Sequence, residues 1–234
     1  MKKTKLVLMR HGESVWNKTN QFTGWKDMDL SKNGIKEACK AGKSLKKNNF
    51  YFDIAYTSML KRAIHTTWNI LDVLNQAWIE LNKTWRLNER HYGALQGMNK
   101  DKIALKYGNK QLQLWRRSFN TIPPQINEIE HNNFVKDKKY ENVNIKDIPY
   151  SESLHMTCDR VIPFWKTNIF PEILNNKKVI IVAHGNSLRA LIKHIDQVTD
   201  NDIVKIEIPT ATPIVYEFDE NFKPIKSYFM DVNK

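Results

Sequence analysis

Two segments set the architecture: Lys5-Leu-Val-Leu-Met-Arg-His-Gly12 and Val179-Ile-Ile-Val-Ala-His-Gly185. Each is a short apolar run closed by a polar turn, the pattern of a buried strand. Each places a histidine and then a glycine just past the strand. If the two strands are parallel, both imidazoles emerge at one edge of the sheet, where α/β folds bind ligands. The glycines would let the backbone turn sharply and a ligand approach closely. A lone histidine of this kind is more often a surface or satisfied core residue. Two in one context point to a site.

Outward from these strands, helix and strand signals alternate. Ser31 caps a helix with Ile35, Ala38, Gly42 and Leu45 on one face, ending in Lys46-Lys47-Asn48. Phe52–Tyr56 reads as a strand, and Thr57-Ser58 caps a helix from Met59 to about Leu74. Trp78–Leu81 reads as a third strand, and helix resumes at Leu188–Ile195. Ile214–Phe218 and Ile225–Met230 flank Asp219-Glu-Asn221 as a hairpin. The alternation predicts an α/β fold of three layers, a mostly parallel central sheet flanked by helices. We expect one domain over residues 1–234, with a lid-like irregular segment at about 118–151 that holds Pro123-Pro124. The helix that follows carries Pro163 and Pro171 and should kink or break.

Composition narrows the classes. The chain has 234 residues, 41% hydrophobic and 26% charged, which argues against wholesale disorder. The four apolar residues Leu6–Met9 are too few for a secretory signal, and no run approaches the ~20 residues of a membrane span. Cys39 and Cys158 form no CxxC pair or disulfide framework, and each lies in a helical pattern. A soluble, cytoplasmic protein is expected. The net charge is +12, which attracts anions, whether polyanions or small phosphorylated metabolites.

Two histidines at a sheet edge could hold a metal, with Glu89 as third ligand. HExxH or comparable ligand spacing is lacking, and Arg10 beside His11 would repel a dication. Phosphate suits the neighbours better. A guanidinium fork binds its oxygens bidentately, and a neutral imidazole can attack phosphorus. The chain holds 29 Lys but only 8 Arg, so each Arg marks a place where a planar, permanent charge is useful. Arg10 adjoins His11, Arg62 lies four residues past Ser58, and Arg116 and Arg117 are adjacent.

Leu8-Met-Arg-His-Gly-Glu-Ser14 resembles the signature of the histidine phosphatase superfamily. Further segments are similar to its cofactor-dependent phosphoglycerate mutase branch: Phe22-Thr-Gly-Trp25, Tyr56-Thr-Ser-Met-Leu-Lys-Arg-Ala-Ile-His65, Asn88-Glu-Arg-His-Tyr-Gly-Ala-Leu-Gln-Gly97 with Asn99-Lys100, Trp115-Arg-Arg-Ser118, Glu152-Ser-Leu154, Ala183-His-Gly-Asn-Ser-Leu-Arg189 and Ile208-Pro-Thr210. They run in order from about Lys5 to Met230. The resemblance implies His11 as nucleophile, carrying a phosphoryl group, with Arg10, Arg62 and His184 around that group. It implies Glu89 as general acid and base. Ser14, Asn17, Thr23, Gly24, Tyr92, Lys100, Arg116, Arg117, Gly185 and Asn186 would hold the second phosphate, the carboxylate and the transferred group. The implied reaction interconverts 3-phosphoglycerate and 2-phosphoglycerate through a 2,3-bisphosphoglycerate intermediate. 2,3-Bisphosphoglycerate is also the implied primer, with no metal. The implied partners are a small phosphorylated substrate and a second copy in a homodimer, with no nucleic acid and no membrane.

His65 reads as structural, and His91, His131, His155 and His194 stay outside the mechanism. Trp115 is the tryptophan expected nearest the site. Gln21 stands where the branch usually has Arg, and Ala211 where it usually has Gly. The Gln125–Asn133 segment diverges, and the chain stops at Lys234, where many members carry a Lys- and Ala-rich tail. A bisphosphoglycerate phosphatase on the same site is therefore the alternative activity. A basic nucleic-acid-binding protein is the alternative from another class, although no basic run with interleaved aromatics supports it.

Overall fold

The structure is a computed structural model and describes residues 4–232. Met1–Lys3 and the end at Lys234 lie outside the described residues. The strands are β1 (Lys5–Arg10), β2 (Ile54–Thr57), β3 (Glu80–Lys83), β4 (Val179–Ala183), β5 (Pro213–Phe218) and β6 (Pro224–Phe229). They form one sheet in the order β3-β2-β4-β1-β5-β6. β1, β2, β3 and β4 run parallel, while β5 pairs antiparallel with both β1 and β6. The expected hairpin is therefore present as β5–β6. β1 and β4 are direct neighbours, with Leu6 opposite Val179 and Arg10 opposite Ala183.

The helices are α1 (Val15–Lys18), α2 (Lys32–Lys47), α3 (Lys61–Val73), α4 (Lys100–Tyr107), α5 (Asn109–Arg117), α6 (Glu128–Val135), α7 (Leu154–Phe164), α8 (Phe170–Leu174), α9 (Gly185–Ile195) and α10 (Asp200–Ile203). Alternation along each strand divides the core in two. Leu6, Leu8, Ile181 and Tyr216 pack with Val161 and Trp165 of the α7 side and Leu188 and Leu191 of α9. Val7, Met9, Ile180 and Val215 pack on the other face with Ala41 and Leu45 of α2 and Ile70 and Leu71 of α3. This is the expected three-layer α/β arrangement.

Several local expectations are corrected. Ser31 does cap α2, accepting from Gly34 N at 3.0 Å, but Ile35 is 44% exposed and Ala41 takes its place inside. α3 begins at Lys61, and its N-cap Leu60 makes no side-chain bond. Ser58 instead accepts from Leu60 N and reaches His184. The third strand falls at Glu80–Lys83, two residues later than expected at its start and end. Residues 118–151 contain α6 and 3-10 turns, and Ile126, Phe134, Tyr140 and Ile148 from this stretch pack around Trp25. The helix with the two prolines breaks as expected. Pro163 lies inside α7, and a π turn at Trp165–Ile169 precedes α8, with Pro171 in its first turn.

Candidate active site

β1 and β4 deliver His11 and His184 side by side. His11 N donates to Ala183 O at 2.9 Å, extending the parallel ladder, and the two rings meet edge-on with centroids 4.9 Å apart. His11 Nδ1 lies 2.6 Å from Gly12 O. A carbonyl only accepts, so Nδ1 carries the proton and Nε2 keeps its lone pair. Burial, then the charges of Arg62 and Arg10, hold the His11 pKa well below the ordinary imidazole value. The ring is neutral at neutral pH, the state a nucleophile needs. His184 is depressed in the same way, by burial first and Arg62 next. Its Nε2 lies 2.7 Å from Ser58 Oγ.

Gly12 has a different role from the one expected. A Cβ there would come within 2.4 Å of Gly34 O, so the glycine admits the start of α2 rather than a ligand. Gly185 does face the cavity: an added Cβ would meet only Arg189 Nη1 and Glu89 Oε2 at 3.7 Å and Arg10 Nε at 4.0 Å.

A cavity of about 110 Å³ opens beside His11 at the carboxyl ends of the parallel strands. Drug-sized pockets span roughly 300–1,000 Å³, so this one suits a small metabolite. Arg10, His11, Arg62 and Glu89 border it, as do Asn17, Thr23, Gly24, Tyr92, Lys100, Arg116, Arg117, Gly185 and Asn186. Gly185 and Asn186 open α9, whose N-terminus favours negative charge. Two of the residues named from sequence do not border the cavity. His184 is fully buried, edge-on to the His11 ring. Ser14 is buried as the N-cap of α1, accepting from Asn17 N while Asn17 Oδ1 accepts from Ser14 N. It therefore holds Asn17 at the wall rather than facing the cavity.

The lining is strongly positive, with Arg10, Arg62, Lys100, Arg116, Arg117 and Arg189 facing one carboxylate, Glu89. Burial, reinforced by Arg116 and Arg10, lowers the Lys100 pKa to about 8, and burial lowers Arg62 to about 10. Four buried polar atoms here have no hydrogen-bond partner: Arg10 Nε, Arg62 Nε, Thr23 Oγ1 and His184 Nδ1. Other atoms of the same arginines are fixed. Arg10 Nη1 donates to Ile208 O, while Arg62 Nη1 and Nη2 donate to Lys26 O and Gly24 O. Buried orphan donors are uncommon. Arg10, Arg62 and Thr23 border the cavity, where such groups could meet the oxygens of an anion.

Glu89 Oε1 accepts from Arg90 N at 2.8 Å, Asn186 N at 3.1 Å and Asn186 Nδ2 at 2.9 Å. Oε2 makes no such bond and is the oxygen available to a substrate. Asn186 Nδ2 also donates to Tyr92 Oη, joining three lining residues.

Arg189 borders the cavity and is not among the residues expected from the sequence, although it ends the Ala183–Arg189 segment. It lies one helical turn past Gly185 and shares the Arg scarcity that singled out the others. Gln21 also borders the cavity, with Nε2 donating to Gly97 O. Trp115 is buried with Phe22, Leu95 and Ile103 and does not border the cavity. Trp25 is nearer the chemistry, donating from Nε1 to Glu89 O at 2.7 Å. His65 pairs with Asp29, and His131 stacks on Tyr150, both away from the cavity. Among the described residues no three His, Cys, Asp or Glu side chains gather as a cation site would need.

The chain matches the histidine phosphatase superfamily (branch 1) over residues 6–138 and 129–231. It is 56% identical over 230 residues to a 2,3-bisphosphoglycerate-dependent phosphoglycerate mutase of Buchnera aphidicola subsp. Baizongia pistaciae (strain Bp), covering 98% of this chain and 99% of that one. Among solved structures, a mycobacterial glucosyl-3-phosphoglycerate phosphatase has a TM-score of 0.72 at 21% identity, covering 97% of each chain. An α-ribazole phosphatase from Shigella flexneri has a TM-score of 0.69 at 19% identity, covering 97% of this chain and 96% of the other. These two share the fold, and at that identity they carry no statement about activity. With its paired strand-end histidines and a family match across nearly all its length, the chain belongs to the histidine phosphatase superfamily, branch 1.

Proposed function

We propose that the protein interconverts 3-phosphoglycerate and 2-phosphoglycerate, with 2,3-bisphosphoglycerate as primer. The observation that carries this is the number and placement of cations. Arg10 and Arg62 lie close enough to His11 to depress it, and Lys100, Arg116, Arg117 and Arg189 also line the cavity, so it has charge for a second anionic group. The relative at 56% identity bears the name of this activity.

His11 Nε2 forms a bond to phosphorus as a phosphate P–O bond breaks, and in the reverse sense gives the group to a substrate hydroxyl. Glu89 Oε2 takes the hydroxyl proton as the new O–P bond forms, and returns a proton to the oxygen left when the other phosphate moves to His11. The unpartnered donors of Arg10 and Arg62 take the charge of the equatorial oxygens during transfer, with His184 packed against His11. Lys100, Arg116, Arg117 and Arg189 hold the remaining phosphate and carboxylate. Ser14 acts through Asn17. The primer supplies the first phosphoryl group and replaces one lost to water. Because His11 is buried, the transferred group is shielded from hydrolysis.

No helix of the described residues is long and apolar enough to cross a membrane. The cytoplasm is the setting that fits a small, multiply charged substrate. A homodimer is also proposed. β3 is a sheet edge, and Trp68 and Trp78 beside it are exposed, a surface suited to a second copy. Sedimentation at micromolar concentration should give twice the monomer mass.

The deciding assay supplies 3-phosphoglycerate with trace 2,3-bisphosphoglycerate and follows 2-phosphoglycerate and free phosphate together. Isomer formed far faster than phosphate is expected. Phosphate without isomer would replace the mutase with a phosphatase.

A further inference from the structure

Glu89 enters the cavity on a segment, Trp85–His91, that has no regular structure beyond a 3-10 turn at Trp85–Leu87. Trp25 Nε1 donates to one of its carbonyls, Glu89 O, and a single further side chain meets three. Arg160, on α7, donates from Nη1 to Arg86 O at 2.6 Å and Asn88 O at 3.1 Å, and from Nη2 to Glu89 O at 3.0 Å. The same guanidinium grips Glu152 in a fork, Nε to Oε1 at 2.6 Å and Nη2 to Oε2 at 2.9 Å. All five of its N–H groups are thereby used. Glu152 closes the circuit: its Oε2 accepts from His91 N at 2.7 Å, and its own N donates to His91 O at 2.8 Å. Carbonyls and amides on both sides of Glu89 are thus fixed by one buried ion pair that does not border the cavity.

A buried ion pair is a poor way to gain stability, because desolvation offsets most of its attraction. Its value here is geometric. A planar fork with five donors can hold three carbonyls and a bidentate carboxylate at once, more than the three donors of a Lys ammonium or an apolar pair can serve. We infer that Glu152 and Arg160 are positioning residues for the Glu89 carboxylate. They set its backbone so that Oε1 meets Asn186 while Oε2 faces the substrate hydroxyl. This rests on the acid–base role proposed above for Glu89.

The test compares Arg160→Met, Arg160→Lys and Glu89→Gln, singly and combined, in the isomerisation assay, below the melting temperature of each variant. Loss of positioning predicts that Arg160→Met lowers kcat about 100-fold, with KM changed less than about threefold. Arg160→Lys should restore melting more than kcat, since it keeps the charge but loses the fork. Added to Glu89→Gln, Arg160→Met should lower kcat little further, because the two act through one carboxylate. A folded Arg160→Met or Arg160→Lys protein with wild-type kcat would overturn the inference. So would losses that multiply in the double variant. Should Arg160→Met not fold, Arg160→Lys is judged by the same criteria. Wild-type kcat in Glu89→Gln alone would instead refute the acid–base role.

Discussion

Replacing Gly185 with alanine should move stability and activity in opposite directions. The new Cβ would meet Arg189 Nη1 and Glu89 Oε2 at 3.7 Å and Arg10 Nε at 4.0 Å, all ordinary contacts. Gly185 is not among the residues with positive φ, so alanine adopts its backbone without strain. It opens α9, where alanine is the better helix former by up to about 1 kcal/mol. The fold should be as stable as before or slightly more so. The ligand has no such freedom. An oxygen bonded to Arg10 Nε at about 2.9 Å and a hydroxyl offered to Glu89 Oε2 must share the space that the methyl would take. Losing one charge-assisted hydrogen bond costs about 1.5–3 kcal/mol, and each 1.4 kcal/mol is about tenfold. A fall in kcat/KM of about 10- to 100-fold follows for each bond lost. Thermal denaturation and the isomerisation assay on one preparation measure both quantities. A variant that melts like wild type and turns over like wild type would show that the substrate does not lie between Arg10 and Glu89.

Lys100, with its pKa lowered to about 8, is charged below that value and neutral above it, so substrate KM should rise as pH passes 8. A bound anion pulls the pKa back up, so binding at pH 8 should take up a proton, seen as a buffer-dependent binding enthalpy in calorimetry; Lys100→Met should abolish that uptake. Arg62→Lys should keep a charge beside His11 but lose activity by about 10- to 100-fold, because one ammonium nitrogen cannot span the separate positions from which Nη1, Nη2 and Nε meet Lys26 O, Gly24 O and a phosphoryl oxygen; wild-type rates would contradict the fork. Ala211 has φ +46° and is buried, so Ala211→Gly relieves about 1–2 kcal/mol of strain while losing a buried methyl worth about 0.8 kcal/mol and freeing the unfolded chain. Denaturant melts should place it within about 0.5 kcal/mol of wild type.

What the sequence made legible was local. The apolar runs of β1 and β4, the Ser31 cap and the β5–β6 turn announce themselves within a few residues. The scarcity of Arg against Lys marked most of the cavity's cations, because a solvated surface is indifferent to the choice and a phosphate fork is not. What stayed hidden depends on partners far along the chain. Ser58 has the spacing of a helix cap, yet its hydroxyl serves a histidine 126 residues away. Glu89 owes its orientation to Asn186 and Arg160, and no pattern around Glu89 shows either. α6 escaped notice because Ile129, its first apolar residue, is 76% exposed while Phe134 packs inward, so the helix shows no apolar stripe. The Gly185 reading survived for a reason of space, whereas Gly12 answers to the neighbouring backbone at Gly34.

The +12 net charge separates along the same line. Six cations and Glu89 line the cavity, a surplus of five of which one, Arg117, also pairs with Glu207, and a small phosphorylated acid would offset the rest. The remainder is distributed elsewhere and names no partner.

The most direct test of the account is where the phosphoryl group resides. The protein is mixed with 2,3-bisphosphoglycerate carrying labelled phosphate, digested without acid and mapped, and a second sample is chased with unlabelled 3-phosphoglycerate. Acid-labile label is expected on His11 alone, passing in the chase to phosphoglycerate rather than to free phosphate. Label on any other residue, or label that leaves His11 only as free phosphate, would contradict it.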